Sequence, residues 1–407
     1  MSDVLIASYD MEVGGVERSL AAMLEHFDYT RYAVDLMLYR HQGDLLPLIS
    51  DAVNLLPENP AYATFRQSIP AIIRQKHYGI AWGRILAKVH GEYVRLTRNM
   101  PESGYYQMQL MWRYTLAHLP RLERSYDVAI SYLWPHDFVA HKVQAKVKIA
   151  WIHTDYSTIE TDKAMDYAMW SRFDWIVAVS DACQASFLDK YPELKDKVIV
   201  IENITSPEFI HSMAEENMDN PMNSDNSFKL ATVGRLSYQK GFDQAIQALR
   251  LLHDRGYTDI RWYVVGYGGD EAALRDLIAQ NNLTEDFILL GKHINPYPFV
   301  KACDLYVQPS RYEGKAVTVT EAKILGKPVL ITNYATAPSQ IEDGVDGCIA
   351  ELSVQGIADG IERLYHDEAL RRRIADYCAN YNHVNTDELR KLYSRMNSGE
   401  DAVRNAL

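Results

Sequence analysis

The stretch from Arg311 to Pro328 reads R-Y-E-G-K-A-V-T-V-T-E-A-K-I-L-G-K-P. Just ahead of it, Leu305–Gln308 is a short apolar run of the kind that forms a buried strand. Two carboxylates, Glu313 and Glu321, stand eight residues apart. The first is expected in the loop after the strand and the second inside the helix that follows. A parallel strand feeding a helix puts its connecting loop at the carboxyl edge of the sheet, where open α/β folds bind ligands. The first amides of such a helix have no acceptor within it, so they can donate to hydroxyl or phosphate oxygens. One carboxylate beside those amides and another a layer deeper suit a polyhydroxyl ligand with a nucleotide tail.

Outward from this point, strand-like apolar runs alternate with helical periodicity in both halves of the chain, the mark of parallel α/β sheets. The runs predict strands at 4–8, 33–39, 127–131, 148–152, 175–179 and 198–201 in the first half. In the second half they predict strands at 229–233, 261–265, 287–290, 305–308 and 328–331. With 407 residues, two domains are the natural expectation. Residues 206–227, rich in Asn, Met, Ser and Asp, read as a linker between domains at 1–205 and 228–385. Helical periodicity returns over Thr386–Met396.

Hydrophobic content of 47% and charged content of 24% are those of a soluble globular protein. A net charge of −12 argues against a general nucleic-acid binder. No apolar run reaches bilayer-spanning length, and the chain starts in a strand without a basic, apolar leader, which predicts a cytoplasmic protein. Cys183, Cys303, Cys348 and Cys378 lack metal-ligand spacing and read as reduced core thiols. There is no Asp-x-Asp pair to clamp a divalent ion on a diphosphate, and no metal or other cofactor is expected.

After the strand at 229–233 comes G-R-L-S-Y-Q-K-G, Gly234 to Gly241. Arg235 and Lys240 should project near the start of the next helix, where an Arg can fork onto phosphate oxygens and a Lys can act as a point charge. Negative charge grows on a departing diphosphate, so fixed cations there favour the transition state. Near the N-terminus, Met11–Arg18 reads M-E-V-G-G-V-E-R, and Gly14-Gly15 precede a helix. His153 directly follows the strand at 148–152, at a carboxyl end where ligand-facing residues collect, with Asp155 close behind. Ser180 should cap the next helix.

The Glu313/Glu321 pair, followed by Leu325-Gly326-Lys327-Pro328-Val329, resembles the E-x7-E signature of retaining family 4 glycosyltransferases. The other segments agree in order and spacing, from about Val4 to the 390s. The resemblance implies the GT-B fold: two Rossmann-like domains facing across a cleft, with the last helix, 386–407, returning to the first. It implies that Glu321 holds the ribose hydroxyls and that Glu313 lies beside the donor sugar. Arg235 and Lys240 would grip the donor diphosphate, and His153 would contact the donor sugar. The loop of Gly14 and Gly15 would approach the diphosphate and acceptor. Most of the family reads Glu-Gly-Phe-Gly where this chain has Glu313-Gly314-Lys315-Ala316, so Gly314, Lys315, Ala316 and Val317 are expected to contribute through backbone amides. Tyr267, in Gly266-Tyr267-Gly268-Gly269, would flank the base, although a tight turn explains that loop as well; His293 and Asn295 would approach the base, and Asn203 would serve at a hinge or turn.

Residues 61–125 break the acidic trend, with ten Lys and Arg against three Asp and Glu. Trp82, Ile85, Leu86, Val89, Tyr93 and Leu96 fall on one helical stripe, and Arg84, Lys88, Arg95 and Arg98 on another. Two readings stay open: a basic helix against an anionic membrane or a phosphorylated acceptor, or a helix with its apolar stripe in the core and its cations solvated. The resemblance implies transfer of a hexose from a nucleotide diphosphate sugar, UDP-linked by family frequency, to a saccharide or lipid-linked acceptor. A nucleotide-sugar epimerase of the same fold and a non-catalytic sugar-binding protein are the alternatives.

Overall fold

The computed structural model describes residues 1–98 and 104–397. The chain forms two compact units. The first comprises Met1–Glu12, Leu20–Ile204 and the chain from Thr386 onward; the second comprises Val13–Ser19 and Thr205–Asn385.

The first unit is built on a seven-stranded parallel sheet of order β3-β2-β1-β4-β5-β6-β7. Its strands are β1 (Ser2–Ser8), β2 (Tyr32–Leu38), β3 (Asn54–Leu55), β4 (Ser125–Ser131), β5 (Gln144–Ile152), β6 (Trp175–Ala178) and β7 (Val198–Val200). The second unit has a six-stranded sheet of order β10-β9-β8-β11-β12-β13. Its strands are β8 (Phe228–Val233), β9 (Ile260–Val265), β10 (Phe287–Gly291), β11 (Leu305–Gln308), β12 (Val329–Thr332) and β13 (Cys348–Ala350). Strands in such a sheet are covered on both faces, so they read as unbroken apolar runs. Alternation then sorts their side chains. Leu230, Trp262, Val264, Leu305 and Val307 enter one core, and Ala231, Val233, Tyr263, Val265 and Tyr306 enter another.

Each strand predicted from the sequence is present, with ends shifted by a few residues. Two edge strands escaped prediction: β3 has only two residues and β13 three, too short for any periodicity. The segment read as a linker holds a helix, Pro207–Ala214, entered through a proline in its first turn. Its Ile210 and Ala214 pack with Tyr297 and Ile324, so an apolar face of only two buried residues was enough to fold it. Nearby, Asn220 accepts from the Met222 amide and donates to the Pro298 carbonyl at 3.1 Å. The final helix, Glu388–Met396, packs on the first unit: Tyr393 stacks on Tyr32 and accepts from the Asp28 amide at 2.8 Å. All four cysteines are buried, and none of them forms a disulfide. No helix among the described residues is long and apolar enough to cross a membrane.

In both sheets the winding reverses beside the first strand, between β1 and β4 and between β8 and β11. Loops leaving the carboxyl ends on either side of such a reversal diverge and open a crevice. The loops after β8 and β11 are the two segments singled out in the sequence.

Candidate functional site

In the second unit β8 and β11 are hydrogen-bonded neighbours. The β8 loop makes a 3-10 turn at Tyr238–Lys240 and ends on Gly241, whose φ of +68° is left-handed. A Cβ at Gly241 would come within 2.0 Å of the Pro309 carbonyl oxygen. Glycine therefore serves both the backbone turn and the close approach of the β11 loop. Arg311 binds the two loops together. Its amide donates to Gln239 O at 2.8 Å, and its guanidinium pairs with Asp243 through contacts of 2.8 and 2.7 Å.

This stitching brings Lys240 to Glu313, Nζ to Oε1 at 2.5 Å, with both side chains largely buried. The same oxygen accepts from Ser310 Oγ at 2.6 Å and from Gln308 Nε2 at 3.3 Å. Gln308 is itself oriented by Tyr306, whose hydroxyl donates to Oε1 at 2.8 Å. A carboxylate oxygen with three donors is fixed in place and poorly suited to act as a mobile base or nucleophile. Lys240 keeps two further N–H groups for a ligand. Arg235 is exposed and its guanidinium has no partner among the described residues.

The helix after the β11 loop is Val317–Ile324. Val317 and Thr318, as its opening residues, have amides without an acceptor inside the helix. Ala316 does not join them, contrary to the expectation. Its amide donates to Gln340 Oε1 at 3.1 Å and its carbonyl accepts from Gln340 Nε2 at 2.6 Å. A Gln side chain can satisfy donor and acceptor of one peptide at once, and here it consumes the amide offered to the ligand.

Glu321 lies one turn into this helix, buried, with Oε1 accepting from the Tyr297 hydroxyl at 3.0 Å. Its other oxygen lies 3.2 Å from Arg18 Nη1. Burial pulls the Arg18 pKa down, but Glu321 and Tyr297 more than offset it, so the group is held charged. Arg18 Nε is buried without a hydrogen-bond partner. Gly15 stands beside the same helix, since a Cβ on it would lie 3.7 Å from the Val317 side chain. A Cβ on Gly14 would meet the Glu17 carboxylate at 2.2 Å.

Gly266-Tyr267-Gly268 packs on the β8 loop. Leu236 N donates to Tyr267 O at 2.9 Å, and a Cβ on Gly268 would meet Leu236 O at 2.2 Å. The Tyr267 ring carries Lys292 Nζ 4.8 Å from its centroid. His293 donates from Nε2 to Leu290 O at 3.2 Å and packs on Phe299. Asn295 is spent on structure: it donates to Met213 O at 2.7 Å and Glu216 Oε2 at 2.9 Å and accepts from Tyr297 N.

In the first unit His153 leaves β5 as expected, half-buried, its ring 4.9 Å from Tyr132. Nε2 has no partner, and burial lowers its pKa to about 4, so the imidazole is neutral near pH 7. His136, wholly buried, donates or accepts at Ser131 Oγ at 2.8 Å, while its Nε2 is also unpartnered. Asp155 belongs to a local turn, with Oδ1 accepting from the Ser157 amide and hydroxyl at 2.9 and 2.7 Å. Ser180 caps its helix by accepting from the Cys183 amide at 3.2 Å.

The structure thus gathers Lys240, Glu313, Arg235, Val317, Glu321 and Gly15 in the second unit, on or next to two adjoining loops. Arg18, Tyr297, Gln308 and Gln340 belong to that cluster and were not foreseen. Arg18 carried a usable signal: a cation in the first turn of a helix opposes the helix dipole and calls for an external partner. Among the described residues, no group of three or more His, Cys, Asp or Glu is placed to hold a metal ion.

Residues 213–380, which lie within the second unit, match the family described as glycosyl transferases group 1. Over 154 residues the chain is 30% identical to the capsular polysaccharide biosynthesis glycosyltransferase CapM of Staphylococcus aureus, covering 36% of this chain and 39% of CapM. A match of 32% to the amylovoran biosynthesis glycosyltransferase AmsK of Erwinia amylovora covers 35% of this chain and 37% of AmsK. The matches span 37%, 62% and 39% of the length of three such relatives. Among solved structures, Anabaena Alr3699/HepE in complex with UDP and glucose superposes with a TM-score of 0.67 at 18% identity, covering 98% of this chain and all of that one. A mutant of S. aureus TarM crystallised with UDP superposes at 0.66 with 15% identity, covering 98% of this chain and all of TarM. The fold is GT-B.

Proposed function

We propose that the protein is a glycosyltransferase that moves a hexose, with retention of anomeric configuration, from a UDP-sugar to a saccharide or lipid-linked acceptor in surface polysaccharide or glycolipid synthesis. The observation that carries this reading is the joining of the β8 and β11 loops, which sets two cations, two carboxylates and the head of a helix together. Arg235 and Lys240 would take the diphosphate, aided by the amides of Val317 and Thr318. Glu321, one turn deeper, would accept from the ribose diol and Glu313 would orient the sugar. As UDP departs, the cations meet growing charge, and the leaving phosphate oxygen takes the acceptor's proton on the same face. Neutral His153 can donate or accept at a sugar hydroxyl.

Residues 228–385 would hold the donor, and residues 1–205 with the final helix the acceptor. The cation pair takes the place that a metal would fill, so turnover should persist in a chelator. On the acceptor side the partner would be the anionic face of a membrane, with the basic region around Arg84–Arg98 nearby. The test is turnover on a panel of UDP-, GDP- and ADP-sugars with saccharide acceptors, reading free nucleotide and the anomeric coupling of the product. Release of UDP with a lengthened, retained product is expected. An intact donor, or a donor isomerised with no acceptor present, overturns the proposal.

A further inference from the structure

The helix Tyr78–Arg98 has its large side chains on the wrong side for a core element. Its face toward the neighbouring helix, Gly104–Thr115, carries small residues. A Cβ on Gly83 would come within 2.7 Å of the Tyr114 carbonyl, and Ala87 and Val94 pack on Tyr106 and Leu110. Backbones this close leave no room there for bulk. Tyr78, Trp82, Val89, Tyr93 and Leu96 instead face solvent, each 62–71% exposed, with Leu86 at 37%. At 3.6 residues per turn they form one continuous stripe. Of the two readings open for this helix, the one with the stripe in the core is therefore excluded.

The cations are also redistributed. Arg84 is folded back onto the Thr64 and Gln67 carbonyls at 2.8 and 2.6 Å and is unavailable to a partner. The Arg98 side chain lies outside the described residues. Lys88 and Arg95 are exposed along one flank of the stripe; Glu92, the only acid in this helix, is paired with Arg95 at 2.5 Å. The exposed Ile73, Arg74 and Lys76 precede it.

We propose that this face docks on an anionic lipid bilayer, with Trp82, Tyr93 and Leu96 entering the headgroup–acyl boundary and Lys88 meeting lipid phosphates. The inference rests in part on the membrane reading above and changes what makes the contact: the apolar stripe supplies it, and the cations flank it. Charge complementarity selects the occupant. The stripe lies in a segment with ten Lys and Arg against three Asp and Glu, inside a chain of net charge −12. A second copy laid face to face would oppose like-charged flanks, whereas an anionic surface pairs with them.

Flotation of the full chain with vesicles tests this. Vesicles of phosphatidylglycerol and phosphatidylcholine in equal parts should carry at least about tenfold more protein than phosphatidylcholine alone. Trp82→Ser/Tyr93→Ser should lower that by about tenfold or more, since binding scales with buried apolar area. Lys88→Glu should weaken it further in low salt. These side chains are exposed, so melting temperatures should not move. No binding by the unaltered chain, or equal binding by the double variant, overturns the proposal. So does a dimer in sedimentation equilibrium that the double variant converts to monomer. Release of UDP with a soluble saccharide acceptor, measured in parallel, should be the same in the double variant. Its absence in every protein would count against the transferase reading alone.

Discussion

Arg18 and Glu321 form a buried ion pair, Nη1 to Oε2 at 3.2 Å, although 303 positions separate them in the chain. The pair ties the turn after Gly14-Gly15 to the helix behind the β11 loop. Tyr297 completes the group by donating to the other carboxylate oxygen. Glu321 is thereby oriented before any ligand arrives, and Arg18 neutralises a charge that burial would otherwise penalise.

Removing one partner of such a pair leaves an uncompensated buried charge, which costs about 3–5 kcal/mol. Arg18→Ala and Glu321→Ala should each lower the melting temperature by many degrees. The double variant should cost clearly less than the sum, because the second substitution removes the orphan left by the first. Chemical denaturation of the four proteins gives the coupling energy. A sum of single effects equal to the double would mean that the pair contributes nothing.

Lys240 and Arg235 should separate in their phenotypes. Lys240 is tied to Glu313, and Arg235 is exposed with no partner for its guanidinium among the described residues. Each alanine variant should lower kcat by about 10²–10³, the usual effect of losing one transition-state donor. Only Lys240→Ala should also lose stability, by about 1–3 kcal/mol, since it strips a donor from a buried carboxylate. Full activity of both variants at saturating donor would refute the diphosphate role.

Gln340 spends both ends of its amide on the Ala316 peptide and accepts from the Tyr334 hydroxyl at 3.0 Å. Gln340→Ala should destabilise by about 1–3 kcal/mol by orphaning buried groups. It should also raise KM for the nucleotide sugar more than it lowers kcat, because the head of the Val317 helix would lose its anchor. Gln340→Glu should restore the bond to the Ala316 amide only. If the alanine variant binds the donor as tightly as the parent, the anchor has no part in the site.

The sequence made the sheets and the two key loops legible because these depend on local information. Unbroken apolar runs mark parallel strands, and Gly234, Gly241 and Gly314 mark the turns between them. It could not disclose the pairings that the fold makes over long distances. Arg18 with Glu321 and Gln340 with Ala316 join segments whose proximity exists only after both sheets form. Asn295 looked free for a base because nothing local shows that Met213 and Glu216 claim it. The Tyr78–Arg98 helix stayed ambiguous for another reason. Periodicity reports that a helix has an apolar stripe, and only Gly79, Gly83 and Gly91 on the opposite side hinted that the stripe faced outward.

Acid should destabilise the first unit through its buried imidazoles. Burial lowers His136 to a pKa of about 3, with His153 pushing the same way, and burial lowers His153 to about 4. Unfolded, each returns to about 6.5. Between the two values the unfolded chain binds more protons, so stability falls as pH drops from about 6.5 toward 4 and is unaffected by these groups above 7. At pH 5 the penalty approaches 2 kcal/mol for His136, from about 1.36 kcal/mol per pH unit below its unfolded pKa. His136→Gln removes that contribution. Its melting temperature, even if lower at pH 7, should fall less between pH 7 and pH 5 than that of the parent chain. Parallel melting curves over that interval would mean that His136 takes up its proton in the folded protein as it does in the unfolded chain, and the lowered pKa would be wrong.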